Sequence, residues 1–304
     1  MPRSPKLTPP ELGLGTVQFG LQYGVSNTSG QTSLNEAREI LYSASSYGIR
    51  YLDTARAYGS SEQVVGQLTT ESSEWKIITK LPPLPDTVTD TTAIHSWVRE
   101  SVEASLQALN RRSVYGVLAH NTHDAVGPCA PAIFEGLLCC VRDGLATKIG
   151  ASIYDRAQLE HVTTQYPADL VQVPVNIFDQ RLTVDNTLSN LRQRGIEIHA
   201  RSIFLQGLIL MQPDATPRYF DPIRQHLVKF QKACEELQTV PVVMALSFLK
   251  QLPVDVALVG VNSQQHLEEI AHFYHETSPL PENLNFAEFR LDEPEFINPA
   301  LWRL

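Results

Sequence analysis

Four residues stand where chemistry could be done. Asp53, Lys80 and His120 each close a strand-like run: Ile49–Asp53, Lys76–Lys80 and Val114–His120. Tyr58 follows Asp53 in the next loop. A phenol ordinarily titrates near pH 10, and a neighbouring ammonium favours its anion. Lys80 is placed to supply that ammonium, and Asp53 to hold it charged. The expectation is a Tyr58 with a lowered pKa, able to protonate a carbonyl oxygen or deprotonate an alcohol near neutral pH. His120 could hydrogen-bond the same oxygen and orient the substrate. Such a group suits the interconversion of carbonyl and alcohol, with a cofactor exchanging hydride with carbon.

Those side chains need a scaffold that gathers strand ends. Ser33 and Glu36 have capping-box spacing, and Leu34, Ala37, Ile40, Leu41, Ala44 and Tyr47 then share a helical face up to Gly48. Further helices read at Ser61–Leu68, at Ile94–Leu109 with the cleanest period, and near Ala130–Val141, Arg156–Gln165, Thr187–Arg194, Pro222–Leu237, Val242–Gln251 and Gln264–His272. Between them fall strands at Leu12–Gly15, Thr147–Ala151, Asp169–Val173, Ile196–Ala200 and Val256–Gly260, besides the three above. Strict alternation makes the strands parallel, and eight β/α units favour a closed (β/α)₈ TIM barrel over an open sheet. No linker divides the chain, so a single domain over 1–304 is expected, with a C-terminal tail from about 279 to 304. In a barrel the C-terminal ends of the strands share one rim, where Asp53, Lys80, His120, Ser152, Gln172, Ser202 and Asn262 would converge.

Composition limits the partners. The 304 residues are 43% hydrophobic and 19% charged, which excludes a disordered or low-complexity chain. The formal charge of −9 argues against binding nucleic acid backbones. The opening MPRSPKLTPPELGLG lacks a signal-peptide core, and no stretch nears the roughly 20 apolar residues that span a bilayer. Cys129, Cys139, Cys140 and Cys234 form no C-x-x-C pair and read as buried free thiols. A soluble cytoplasmic protein is expected.

The motifs carry a family resemblance. Leu12-Gly13-Leu14-Gly15-Thr16, Tyr51-Leu52-Asp53-Thr54-Ala55 with Ala57-Tyr58-Gly59 and Ser61-Glu62, Ile78-Thr79-Lys80, and Leu118-Ala119-His120-Asn121 resemble the aldo-keto reductases over about residues 11–275. The resemblance implies a reductase of aldehydes or ketones, or the reverse oxidation, with Tyr58 as general acid/base, Asp53 and Lys80 as tuners and His120 as orienter. It also implies a nicotinamide dinucleotide on the rim without a Rossmann domain. The sequence agrees, since Gln18 replaces the third glycine after Gly13-x-Gly15. Ser152 and Gln172 match residues that hold the carboxamide, with Ile153 where an amide is usual. Arg201 replaces a stacking aromatic. Ser202, Phe204 and Gln206 match a pyrophosphate clamp, and Thr16 and Asp53 also fall among the cofactor positions. Gly260, Asn262, Gln264, His266 and Glu269 match the adenosine end. His266 stands where an arginine is typical. NADP(H) is expected by family habit, with NAD(H) as the alternative, and a monomer is the expected state.

Phe19, Tyr23 and Asn121 are candidates to wall the substrate mouth. Three other readings compete. Lys80 could be a Schiff-base lysine, which leaves the Tyr58 spacing unused. His272 and His275 could share a helical face for a metal, although no metal is expected. Some barrels of this family bind the cofactor as regulatory subunits with little turnover.

Overall fold

The computed structural model describes residues 8–71, 74–276, 280–281 and 284–304. Residues 1–7, part of the opening read above, and Pro279 lie outside the described residues. Eight parallel strands close a barrel in sequence order: β1 (Glu11–Gly15), β2 (Tyr51–Asp53), β3 (Lys76–Lys80), β4 (Val114–Ala119), β5 (Ala146–Ser152), β6 (Leu170–Pro174), β7 (Glu197–Arg201) and β8 (Val256–Gly260), with β8 pairing back to β1. The helices are α1 (Val17–Gly20), α2 (Leu34–Ser46), α3 (Ser61–Leu68), α4 (Thr91–Leu109), α5 (Thr122–Val126), α6 (Ala130–Arg142), α7 (Arg156–Gln165), α8 (Thr187–Gln193), α9 (Arg224–Glu236), α10 (Pro241–Leu249), α11 (Gln264–Glu276) and α12 (Pro294–Ile297). Among the described residues no helix is long and apolar enough to cross a membrane.

The expected (β/α)₈ barrel is therefore present, and its departures from the sequence reading are local. Gly48 adopts φ 77°, and Ile49 donates its amide to Ala44 to close α2, so β2 starts at Tyr51 rather than Ile49. After β4 the chain enters a short helix that the sequence pattern did not announce, α5, which Asn121 caps by accepting from the His123 amide. The short helix α1, which carries Phe19, was not visible as a pattern. All four cysteines are free, but only Cys140 and Cys234 are buried.

Tyr51, Ile78, Leu118, Leu170, Val256 and Leu258 fill the barrel, while a larger apolar layer packs the helices around it. At the N-terminal end of the strands, Glu197 accepts from Tyr115 at 2.6 Å and from Lys148, and meets the His199 ring at 2.6 Å. Burial disfavours its charge, but these bonds win and hold the carboxyl down to about 2. The C-terminal tail wraps the outside. Leu291 donates its amide to Phe178, Gln180 donates to the Phe286 carbonyl, and Phe286, Phe289, Phe296 and Ile297 are buried.

One close packing sets the rim. The Tyr58 loop lies directly on the end of α1. A Cβ on Gly20 would fall 1.8 Å from the Tyr58 carbonyl, and one on Gly59 2.4 Å from the Gly20 carbonyl. Gly59 also needs φ 56°, a region that side chains disfavour. Two glycines thus let two backbones touch and fix where Tyr58 stands. Gly20→Ala is expected to cost about 2–3 kcal/mol in urea unfolding by overpacking. It should also lower kcat by about 100-fold through displacement of Tyr58. Wild-type turnover in that variant would show that the packing does not position the tyrosine.

Candidate active site

Asp53 ends β2 and Lys80 ends β3, so the barrel brings them together. Lys80 Nζ lies 2.7 Å from Asp53 Oδ2 and also donates to the Thr54 carbonyl at 2.8 Å. Both residues are buried, Lys80 to 1% exposure. Burial pulls the Lys80 pKa down, and Asp53 pushes it back up. The other Asp53 oxygen accepts from the Gln172 side-chain amide, which reaches it from β6 across the barrel. Behind Lys80, the buried Glu62 accepts from Thr79 at 2.6 Å and pairs with Arg56 at 3.2 Å.

Tyr58 lies above this pair. Its hydroxyl is 3.5 Å from Lys80 Nζ, and its ring meets that of His120 edge-on with centroids 5.6 Å apart. The expected lowering of the Tyr58 pKa is reversed. Burial raises it first and the charge of Asp53 raises it further, while Arg201 opposes them. The physical reason is first that burial of the phenol disfavours its anion, and then that the Asp53 carboxylate beside it adds to the effect. Tyr58 thus keeps its proton at neutral pH, as a proton donor must. His120 is pushed down to about 3 by burial, then by Lys80 and Arg201. It is neutral across the physiological range and can donate from one ring nitrogen while accepting at the other.

A cavity of about 740 Å³ opens above these groups, lined by Asp53, Tyr58 and His120 at its catalytic end and by His266 and Glu269 at the other. Thr16, Tyr23, Ser152, Arg201, Ser202, Phe204, Gln206, Gly260 and Asn262 also line it. The Thr16 hydroxyl is spent on structure: it donates to the Asp53 carbonyl at 2.9 Å and lies 2.8 Å from Ser61 Oγ. The loop after β7 is held in an unusual shape, with φ of 60° at Ser202, 48° at Leu205 and 55° at Gln206. Such strain persists where surrounding structure enforces it, and clusters at ligand sites. The Gln206 carbonyl accepts from the Val25 amide at 3.0 Å, and Gln206 Nε2 donates to Tyr23 at 3.2 Å, so the loops after β1 and β7 meet over the cavity.

Several expected residues lie elsewhere. Phe19 is 1% exposed and packs in the core, off the cavity wall. Asn121 is spent on capping α5. Gln172 is fully buried and does not line the cavity; its amide nitrogen donates to Asp53, while its Oε1 has no partner. Gln264 turns its side chain to Ser43 and Glu268, and its amide donates to Glu36 at 2.6 Å. The capping-box pairing is thus half realised. Ser33 accepts from the Glu36 amide, but the Glu36 carboxylate reaches α11 instead of returning to Ser33. No described residue of the C-terminal tail lines the cavity.

Tyr154 and Gln18 are among the lining residues that sequence reasoning missed. Tyr154 follows Ser152 just past the end of β5, a position the rim argument could have reached. Gln18 was read only as a broken glycine motif, yet it lines the cavity with its Oε1 buried and unpartnered.

Fold and site together define a carbonyl oxidoreductase barrel. The chain belongs to the aldo/keto reductase family, whose sequence model matches residues 11–284. It is thus an NAD(P)(H)-dependent oxidoreductase acting on small carbonyl compounds or alcohols. Among solved structures it is similar to the aldo-keto reductase AKR11C1 from Bacillus halodurans in its holo form. That match has 20% identity and a TM-score of 0.71, covering 92% of this chain and 90% of that one. It is also similar to the glycerol dehydrogenase AKR11B4 from Gluconobacter oxydans, with 21% identity and a TM-score of 0.67, covering 91% and 88%. A search of curated proteins finds no match.

Removing one partner of a buried ion pair strands the other charge. Lys80→Met is therefore expected to cost about 3–5 kcal/mol in urea unfolding, and Asp53→Asn added to it should recover part of that loss. A double variant no more stable than the single one would show that the two groups are not coupled.

Proposed function

We propose that this chain reduces an aldehyde or ketone, with Tyr58 as the proton donor, His120 orienting the carbonyl oxygen, and Lys80 and Asp53 fixing the charge beneath the phenol. The observation that carries the reading is the chain of contacts Asp53–Lys80–Tyr58, at 2.7 Å and then 3.5 Å, at the catalytic end of a cavity that His120 also lines. Neutral His120 donates a hydrogen bond to the carbonyl oxygen without competing for its proton. Tyr58 then delivers its proton to that oxygen as negative charge develops there. A protonated Lys80 would offset the charge left on the tyrosine oxygen, and Asp53 opposes the lowering that burial imposes on the Lys80 pKa.

The other end of the cavity suits a nicotinamide dinucleotide. Gln18 Oε1 and Asn262 Oδ1 are buried and unpartnered there, although buried polar atoms normally have partners. Gly260 keeps a path open, since a Cβ on it would fall 2.8 Å from Gln18 Nε2. Ser152, Ser202, Phe204, Gln206, Asn262, His266 and Glu269 are the residues that would hold such a molecule, which supplies the hydride when bound.

Within this cofactor class, the charges favour NAD(H) over the NADP(H) expected from sequence. The Glu36 carboxylate occupies the first amide of α11, Glu269 lines the same end, and the basic residues Lys and Arg are missing from the β8–α11 part of the wall among the described residues. A 2′-phosphate would meet Glu269 and His266 in the wall, with the first amide of α11 already taken by Glu36.

Tyr58→Phe should lower kcat by about 1,000-fold. The same variant should bind NADH with near wild-type affinity by fluorescence titration. Full activity in it would remove the assignment. In wild type, NADH is expected to bind at least about tenfold more tightly than NADPH, and Glu36→Gln should narrow the gap. Tighter NADPH binding would reverse the cofactor reading.

A further inference from the structure

Arg201 is a cation without a counter-ion. It ends β7 and lines the cavity, and it is the single Lys or Arg on that wall among the described residues. No described acid lies within ion-pair distance of it, whereas Arg56, Arg181 and Arg192 each have one. One terminal nitrogen donates to the Ile153 carbonyl at 3.0 Å, and the other reaches Ser202 Oγ at 3.4 Å. The Nε is buried and has no acceptor. The plane of the group is fixed by Tyr154, whose ring centroid lies 4.3 Å from the guanidinium carbon. A guanidinium held flat at its face and at one edge is preorganised for a planar anion, and leaving it unpaired is costly.

Two sources could bring that anion: the dinucleotide's pyrophosphate or the substrate. The direction in which Arg201 leans favours the substrate. Its partners Ile153 and Tyr154 follow β5, two strands away from β7, on the side opposite β8 and α11. It therefore leans away from the adenosine end of the cavity. Its charge also reaches the reacting groups, since it helps to depress His120 and opposes the rise at Tyr58. We propose that Arg201 receives a carboxylate or phosphate carried by the carbonyl substrate, which makes the enzyme selective for acidic aldehydes or ketones. The inference rests on the catalytic reading of Tyr58 and names the substrate class of that site.

The test compares succinic semialdehyde with butanal, which share four carbons and an aldehyde and differ in one carboxylate. Wild type should favour the acid in kcat/KM by at least about tenfold, as expected for a charge-assisted contact. Arg201→Met should bring the ratio close to one, and Arg201→Lys should keep part of it. NADH titration of the same variants separates the two sources. A tenfold loss of NADH affinity with an unchanged substrate ratio would assign Arg201 to the pyrophosphate and overturn the proposal. Equal use of both aldehydes by wild type would also overturn it. A binding arm covers the case in which neither aldehyde turns over. Succinate should bind the wild-type NADH complex while 1,4-butanediol does not, and binding should weaken in Arg201→Lys. Absence of succinate binding counts against the proposal. Succinate binding is expected to persist in Tyr58→Phe, so a failure of the Tyr58 assignment leaves the Arg201 result readable.

Discussion

The buried Asp53–Lys80 pair is the constraint on which the rest of the site depends. An ion pair out of water is unfavourable unless every remaining donor and acceptor is met. Here Lys80 also bonds the Thr54 carbonyl, and Asp53 takes the Gln172 amide from the far side of the barrel. Strands β2, β3 and β6 are thereby tied through the middle of the rim. The pair closes the top of the apolar barrel interior and forms the floor on which Tyr58 and His120 stand. Burial above this pair, with the Asp53 charge adding to it, keeps the tyrosine a phenol rather than an anion.

Much of this was legible in the sequence, for physical reasons. Strand ends are marked by the switch from apolar runs to a polar residue, so Asp53, Lys80 and His120 could be placed before their contacts were known. Helix stops such as Gly48 announce themselves because few other residues adopt positive φ cheaply. Side-chain direction was not legible. Gln172 and Gln264 occupy the expected positions on the chain, yet each amide is drawn to a nearer partner, Asp53 in one case and Glu268 with Ser43 in the other. Phe19 follows the first strand as expected, but the short helix α1 turns it into the core. The sign of the Tyr58 shift is set mainly by how deeply the phenol is buried, which no spacing encodes.

The two ends of the barrel manage charge in opposite ways. At the N-terminal end, Glu197 is surrounded by Tyr115, Lys148 and His199, and its charge is answered locally. At the C-terminal end the balance is left incomplete, with Gln18, Asn262 and Arg201 each keeping an unmet polar atom. The N-terminal end answers its buried carboxylate and leaves His199 Nδ1 as the unmet atom of that group, whereas these three at the other end belong to residues of the cavity wall, so recognition is concentrated at one end of the axis.

The contact between the loops after β1 and β7 bears on tempo. Val25 donates to Gln206, and the neighbours Tyr23, Gly24, Ser26 and Gly207 carry that contact into the cavity wall. A molecule held against this wall would touch both loops at once. Its departure and the parting of the two backbone segments would then be linked events, so a local opening of the chain would enter the timing of turnover.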